Sequence, residues 1–192
     1  LQISETHEVL GVKEIQIDCD WTGSTRDTYF AMLSRLSAAA HKKGLKVSAT
    51  IRLHQLADKV PPVDRGVLMM YNTGDLKDPK SNPILDMKDA APYLQHLEKY
   101  SLELATAYPV FAWRVLYRNI RLVGIMHSDD ELPVLTGDTI MTKEATLKTV
   151  LEAKSAINRL NPSANHEVIL FDISQQNINR IKQYDYEKVY SL

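Results

Sequence analysis

Segments with the two-residue period of a β-strand alternate with segments of helical period along almost all of the 192 residues. Strand patterns cover residues 14–22, 45–54, 66–72, 109–116 and 167–173. Helix patterns cover residues 25–43, 88–106 and 142–160, and a last one starts near Ser174. Strands separated by helices pair in parallel through right-handed crossovers. The pattern therefore predicts an α/β fold with five parallel strands.

The first strand pattern has one polar and one apolar face. Its polar face carries Glu14, Gln16, Asp18 and Asp20. Strands of an open sheet covered on both faces are nearly continuous apolar runs, which this one is not. The turn after it also lacks the glycine-rich GxGxxG phosphate loop. An acidic strand face suits the solvent-accessible interior at the C-terminal end of a barrel. We therefore favour a TIM (β/α)8-type barrel over an open doubly wound sheet.

The chain is shorter than a complete barrel, which takes about 250 residues and eight strands. We therefore expect a single partial barrel domain over residues 1–192, formed by the C-terminal five β/α units. The sequence starts with Leu1, so we expect a processed chain or a fragment. A missing N-terminal segment is the first choice for closing the barrel, and a partner chain is the second. Residues 120–126 are read as an inserted strand, and residues 129–131 as a surface turn.

The net charge and the length of the apolar runs argue against some classes of binding partner. A net charge of −1 gives no electrostatic case for nucleic acid or an anionic membrane. No apolar run approaches the roughly 18 residues that span a bilayer. The only cysteine, Cys19, lies on the apolar face of the first strand pattern, which predicts a buried structural side chain. Neither a metal signature nor a cofactor motif stands out, so we expect no cofactor.

Two short motifs are similar to those of the chitinase-like family 18 glycoside hydrolases. Residues 18–22, Asp-Cys-Asp-Trp-Thr, resemble the DxDxE part of the motif on that family's fourth strand. Residues 69–72, Met-Met-Tyr-Asn, resemble MxYD on its sixth strand. Residues 15–20, 49–51 and 69–74 also resemble the core of an uncharacterised bacterial family, domain of unknown function 3142. These resemblances imply a glycoside-hydrolase-like barrel with a carbohydrate or another small polar ligand as partner, and a periplasmic or cell-surface location.

The sequence differs from the family 18 motif at the position of that family's proton donor. The last Glu of that family's motif protonates the leaving oxygen, and the acetamido group of the substrate acts as nucleophile. Thr22 stands at that position. A hydroxyl cannot take this role, so the family mechanism is not expected here. Either another acid acts, or the barrel binds a glycan or other ligand without catalysis. A third reading is an assembly protein that needs a second chain.

Three carboxylates are the candidate catalytic residues. Asp18 and Asp20 lie on one strand face, with Asp20 nearer the C-terminal rim where barrel active sites are found. Asp172 lies near the end of the last strand. A catalytic reading assigns Asp20 as general acid and Asp172 as base or nucleophile. The alternative is that Asp18 and Asp20 bond to Ser48, Thr50 or Arg52 in a buried network.

The candidate ligand-binding residues follow the ends of other strand patterns. Arg and His side chains can grip carboxylates or hydroxyls, and aromatic faces stack on sugar rings. The alternatives are that Arg52 only neutralises the acids and that Trp113 only packs beneath helices. The predicted set is Arg52, His54, Tyr71, Asn72, Trp113 and Arg114.

Overall fold

The computed structural model describes residues 2–126, 132–183 and 185–191, which form a mixed α/β fold. The turn predicted at residues 129–131 lies outside these residues. The strands are β1 (Glu14–Ile17), β2 (Lys46–Ile51), β3 (Arg65–Met69), β4 (Leu104–Pro109), β5 (Ala112–Arg118), β6 (Arg121–Met126), β7 (Thr139–Glu144) and β8 (Val168–Phe171). The helices are α1 (Gln2–Thr6), α2 (Arg26–His41), α3 (Met87–Leu94), α4 (Leu147–Leu160) and α5 (Gln175–Gln183). No helix in the described residues is long and apolar enough to cross a membrane.

Five strands form a curled parallel sheet in the order β1-β2-β3-β4-β8, as the alternating pattern predicts. The sheet is half a barrel. Its convex face packs against α3 and α4, where Leu68 and Tyr108 are fully buried with Leu94 and Ile157. The opposite, concave face carries a second buried cluster, made by Val67, Met69, Tyr71, Ala105 and Ala107.

A single arginine crosses the concave side of the curled sheet at its N-terminal end. Arg65 begins β3, at the centre of the sheet. Its Nε lies 2.9 Å from Glu14 Oε2, at the start of edge strand β1. Its two Nη atoms contact Glu167, immediately before the other edge strand, β8. Because one side chain reaches both edges, the curl brings the starts of β1 and β8 close together.

A separate antiparallel sheet, in the order β6-β5-β7, is inserted between β4 and α4. The inserted strand predicted at residues 120–126 is therefore present as β6. The fourth barrel strand, however, is Leu104–Pro109 and not residues 109–116, which fall mostly in β5. The helix predicted over 88–106 was too long, because a continuous apolar run fits a buried strand as well as a helix. All six residues of β4 are buried.

Two local predictions also differ from the structure. The helix predicted from residue 142 begins at Leu147, because residues 139–144 pair with β5 as β7. Cys19 is exposed rather than buried, because β1 ends at Ile17 and the strand period no longer sets its side-chain direction.

Candidate functional site

The C-terminal ends of the five parallel strands border a cleft made of two adjoining cavities. The larger cavity, about 510 Å³, includes Asp20, Thr22, Arg52, His54, Thr73 and Tyr93 in its lining. The smaller one, about 310 Å³, includes Phe111, Trp113, Phe171, Asp172 and Asn177. Tyr71 and Asn72 line both cavities. The cleft therefore lies at the end of the sheet where parallel α/β folds place their sites.

An acid–arginine network stands beside the larger cavity. Thr50 Oγ1 donates to Asp18 Oδ1 at 2.8 Å, and Arg52 Nη2 lies 3.8 Å from the same oxygen. Arg52 Nε donates to Asp20 Oδ1 at 2.5 Å. The cause is the register of the sheet, in which Gln16 of β1 lies opposite Ser48 of β2, so the next polar positions also meet. The contacts of the two acids with Thr50 and Arg52 are thus present, but the carboxylates are exposed and do not form the buried network expected from the sequence.

The two carboxylates of this network remain accessible. The side chains of Asp18 and Asp20 are 61% and 69% exposed, whereas that of Arg52 is only 25% exposed. The arginine is therefore the inner member of the network, and the carboxylates are its outer members. A polar ligand can reach the carboxylates from solvent.

His54 reaches the cleft through a short turn of helix after β2. The backbone N–H of Arg52 donates to Gln55 Oε1 at 2.8 Å, which starts the 3-10 helix Leu53–Ala57. His54 is exposed on this helix and lines the larger cavity. Its position therefore depends on this helix rather than on the strand period from which it was predicted.

Tyr71 lies between the two cavities. Its ring stacks on Phe171 with centroids 4.9 Å apart and packs edge-on against Phe111 at 5.9 Å. Burial raises the pKa of Tyr71 to about 12, and the charges of Asp18 and Asp172 add to this against the opposing effect of Arg52. Tyr71 is therefore a neutral phenol at physiological pH. The next residue, Asn72, turns the chain with a left-handed φ of 57°.

Asp172 is in the smaller cavity and is held by a neighbouring amide. Asn177 Nδ2 donates to its Oδ1 and, at 3.2 Å, to its backbone oxygen. Asn177 is 5% exposed, so this donor is fixed by the start of α5. Asp20 and Asp172 line different cavities of the same cleft, with Tyr71 between them.

Trp113 and Arg114 are not at the end of a barrel strand, because both lie in β5 of the inserted sheet. Trp113 lines the smaller cavity and contacts Phe111, with ring centroids 5.4 Å apart. Neighbouring side chains on a strand point to opposite faces. Arg114 is exposed and lines neither cavity.

Sequence reasoning missed Phe111, Phe171 and Asn177. Phe171 shares the strand parity of Ile169 on the concave face and ends β8, a signal that could have identified it. Phe111 follows β4, whose end was misplaced by the sequence pattern. Asn177 belongs to a helix, and only its tertiary contact with Asp172 reveals its place in the cleft.

Thr22 lines the larger cavity, at the position where the family 18 motif has its acid. Its hydroxyl lies 2.9 Å from Ser24 Oγ, and its backbone N–H donates to Thr25 Oγ1 at 2.9 Å. Thr25 is the N-cap of α2, and its side chain makes no cap hydrogen bond to the helix. Among the described residues, no group of three or more His, Cys, Asp or Glu could hold a metal ion.

Solved structures of chitinase-like proteins resemble nearly the whole chain. A GH18 chitinase from Cycas revoluta in complex with (GlcNAc)3 matches with a TM-score of 0.64 and 13% identity, covering 96% of this chain and 69% of that one. A chitinase from Chromobacterium violaceum gives 0.60 and 13%, covering 95% and 68%. The spore cortex-lytic enzyme SleL from Bacillus cereus gives 0.61 and 12%, covering 96% and 51%. The fold is chitinase-like.

The likeness is one of fold, at low sequence identity. The chain spans about half the length of SleL from Bacillus cereus. No protein-family model matches the chain, and neither does any curated protein.

Proposed function

We propose that the chain is part of a glycoside-hydrolase-like barrel whose cleft binds carbohydrate. One observation carries the proposal: the cleft joins a cluster of aromatic rings to an accessible acid–arginine network. Aromatic faces pack on the apolar faces of sugar rings, while carboxylates and guanidinium groups bond to sugar hydroxyls. Phe171 is 41% exposed beside Tyr71, which leaves ring surface for such a contact.

The lack of an acid at Thr22 favours binding over turnover by the family 18 route. A catalytic alternative uses Asp20 as general acid and Asp172 as base or nucleophile, since two carboxylates can support glycoside hydrolysis at a suitable separation. One oxygen of Asp20 is engaged by Arg52, however, and one of Asp172 by Asn177. These contacts hold the two carboxylates in place, which suits groups that accept hydrogen bonds from a ligand. We therefore favour non-catalytic binding.

The test of binding uses (GlcNAc)3 and a broad glycan array with the wild type and Phe171→Ala. We expect the wild type to bind at least one glycan and Phe171→Ala to lose about tenfold or more in affinity, since stacked aromatic groups dominate such contacts. Leu135→Ala is the matched control, because Leu135 is 55% exposed and does not line the cleft. No glycan binding by the wild type would refute the proposed function.

The test of turnover uses the same glycans with the wild type and Asp20→Asn. Non-catalytic binding predicts no hydrolysis by either protein. Hydrolysis by the wild type that disappears in Asp20→Asn would instead support the catalytic alternative. Equal residual activity in both would remove Asp20 from any mechanism.

We further propose that the five parallel strands are the C-terminal β/α units of a single barrel domain. An upstream segment is our first choice for closing that barrel, and a partner chain is the second. Membership of domain of unknown function 3142 is part of this proposal and rests on the motifs at residues 15–20 and 69–74. A periplasmic or cell-surface location would follow from that membership.

A further inference from the structure

The loop between β3 and α3, residues 73–86, begins at the edge of the cleft. Its first residue, Thr73, lines the larger cavity directly after Asn72. The base of the loop is closed by its own contacts, because Asn72 N donates to Ile84 O at 2.8 Å and Asp86 N donates to Thr73 Oγ1 at 2.7 Å. Ile84 is fully buried, so the base is also attached to the core.

The loop tip, residues 75–82, is held by the inserted sheet. Lys143 Nζ of β7 donates to Pro79 O at 2.5 Å and to Ser81 O at 2.7 Å. Tyr117 OH of β5 donates to Leu76 O at 2.9 Å. Asn82 Nδ2 donates in turn to the backbone oxygen of Glu144, next to Lys143, at 2.9 Å. The bonds from Lys143 and Tyr117 satisfy loop carbonyls that belong to no strand or helix.

Lys143 is the unusual member of this set. It is 7% exposed, and its ammonium lies 6.0 Å from the centre of the Tyr117 ring. Burying a charge is costly unless it is well hydrogen-bonded, so packing alone would favour an apolar side chain at this position. An ammonium is a compact donor of three hydrogen bonds, which suits two converging backbone oxygens.

The same strand pair connects this anchor to the cleft. Lys143 lies opposite Trp113 in the register of β5 and β7, and Trp113 lines the smaller cavity. We propose that Lys143 is a positioning residue, which fixes the loop tip on the inserted sheet so that Asn72 and Thr73 keep their places in the cleft. The effect on ligand affinity rests on the proposed function, whereas the anchoring of the loop does not.

The anchor is tested without ligand, by hydrogen exchange of the wild type, Lys143→Met and Lys143→Arg. We expect exchange at the loop amides of Gly74, Asp78 and Ser81 to become about tenfold faster in Lys143→Met, since bonds from charged donors are among the stronger ones. Lys143→Arg should restore much of the protection, because its guanidinium also donates to carbonyls. Lys148→Met is the matched control, as Lys148 is 86% exposed on α4.

Unchanged loop exchange in Lys143→Met would overturn the proposal. Where Lys143→Met fails to fold, Tyr117→Phe removes only the bond to Leu76 O and should still speed exchange at the loop tip. Hydrogen exchange at the loop tip of Tyr117→Phe as slow as in the wild type would also contradict the proposal that the inserted sheet holds the loop.

Affinity for (GlcNAc)3 then tests the link to the cleft. We expect it to fall about tenfold in Lys143→Met and to recover in Lys143→Arg, with the melting temperature of the latter close to that of the wild type. Faster loop exchange with unchanged affinity would overturn the positioning role. If the wild type does not bind (GlcNAc)3, that result counts against the proposed function for this sugar, and the exchange data still decide the anchor.

Discussion

Asp64 joins a helix to the sheet through a single carboxylate. His41 Nε2, at the end of α2, lies 2.9 Å from its Oδ2, and the backbone N–H of Val47 donates to the same oxygen at 2.7 Å. The bond from His41, and then that from Val47, lower the pKa of Asp64 below its ordinary value of 3.8. The ionised carboxylate is therefore more favourable in the folded chain than in the unfolded one.

We predict that Asp64→Asn makes the stability of the chain less dependent on pH in the acid range. A lowered folded-state pKa gives stability that is present above pH 3.8 and is lost as the pH falls through the folded pKa. Urea unfolding should show a loss of about 1 kcal/mol in Asp64→Asn at pH 7 and a smaller loss at pH 3. Asp27→Asn, at an 87% exposed carboxylate, is the control. An equal loss at both pH values would contradict the prediction.

Single residues of the site were predictable where they lie on a strand or directly after it. Thr50 and Asp18 meet because β1 and β2 are in register, and strand parity is visible in the sequence. Cys19 was misjudged because the chain leaves β1 two residues earlier. The contact between Asn177 and Asp172 was not predictable, because it joins the start of a helix to a residue beyond β8.

At the scale of elements, Gly66 of β3 lies in a closely packed part of the sheet. A Cβ there would stand 2.8 Å from Ile51 Cγ1 of β2 and 2.8 Å from Leu104 Cδ2 of β4. Both neighbours are buried in the core, so they have little room to move away. Glycine at this position therefore allows three adjacent strands to share one densely packed layer.

We predict that Gly66→Ala destabilises the chain by about 1–3 kcal/mol, the usual cost of adding volume to a packed core. Chemical denaturation measures the loss. Gly23→Ala is the matched control, since a Cβ at Gly23 meets no atom within 4 Å and its φ is not positive. A loss at Gly66 no larger than that at Gly23 would show that the strands move apart easily.

The sequence predicted the alternation of parallel strands with helices better than the bounds of single elements. The helix predicted over residues 88–106 contains a real helix, but α3 ends at Leu94. The residues after it run through a short 3-10 helix into β4, which is buried on both faces. Such a strand has no polar face to reveal its two-residue period. The misplaced fourth strand follows from the same ambiguity.

The two edge strands of the parallel sheet determine whether the whole molecule is expected to associate with other copies of itself. Within residues 2–126, 132–183 and 185–191, β1 pairs with β2 alone and β8 with β4 alone. Ile173, just beyond β8, is 87% exposed. Unpaired edges beside exposed apolar side chains promote association between chains.

We predict that the 192-residue chain associates in solution. Sedimentation equilibrium should give an average mass above 21.8 kDa that rises with concentration. Ile173→Lys should lower this mass by placing a charge beside β8. Ile120→Lys is the control, because Ile120 is 81% exposed on the inserted sheet. A mass of 21.8 kDa at every concentration would contradict the prediction.

The architecture of the whole molecule was predictable in part. The polar face of the first strand favoured a curled barrel sheet over an open one, and the curled sheet of five parallel strands agrees with that prediction. The three-stranded inserted sheet was only partly foreseen, as one strand, because β5 was assigned to the barrel. The sequence pattern did not show that residues 112–118 pair with residues 139–144 instead of with the parallel sheet.

The ion pairs of Arg65 have a mechanical consequence for the cleft. They hold the two edge strands of the sheet together at the N-terminal end of the strands. Strands held at one end can spread only at the other. A change in curvature would therefore be smallest near Arg65 and largest at the cleft, where Tyr71 and Phe171 lie. Replacing Arg65 would therefore make the spacing of the strand ends around the cleft more variable, although the cleft lies a full strand length away.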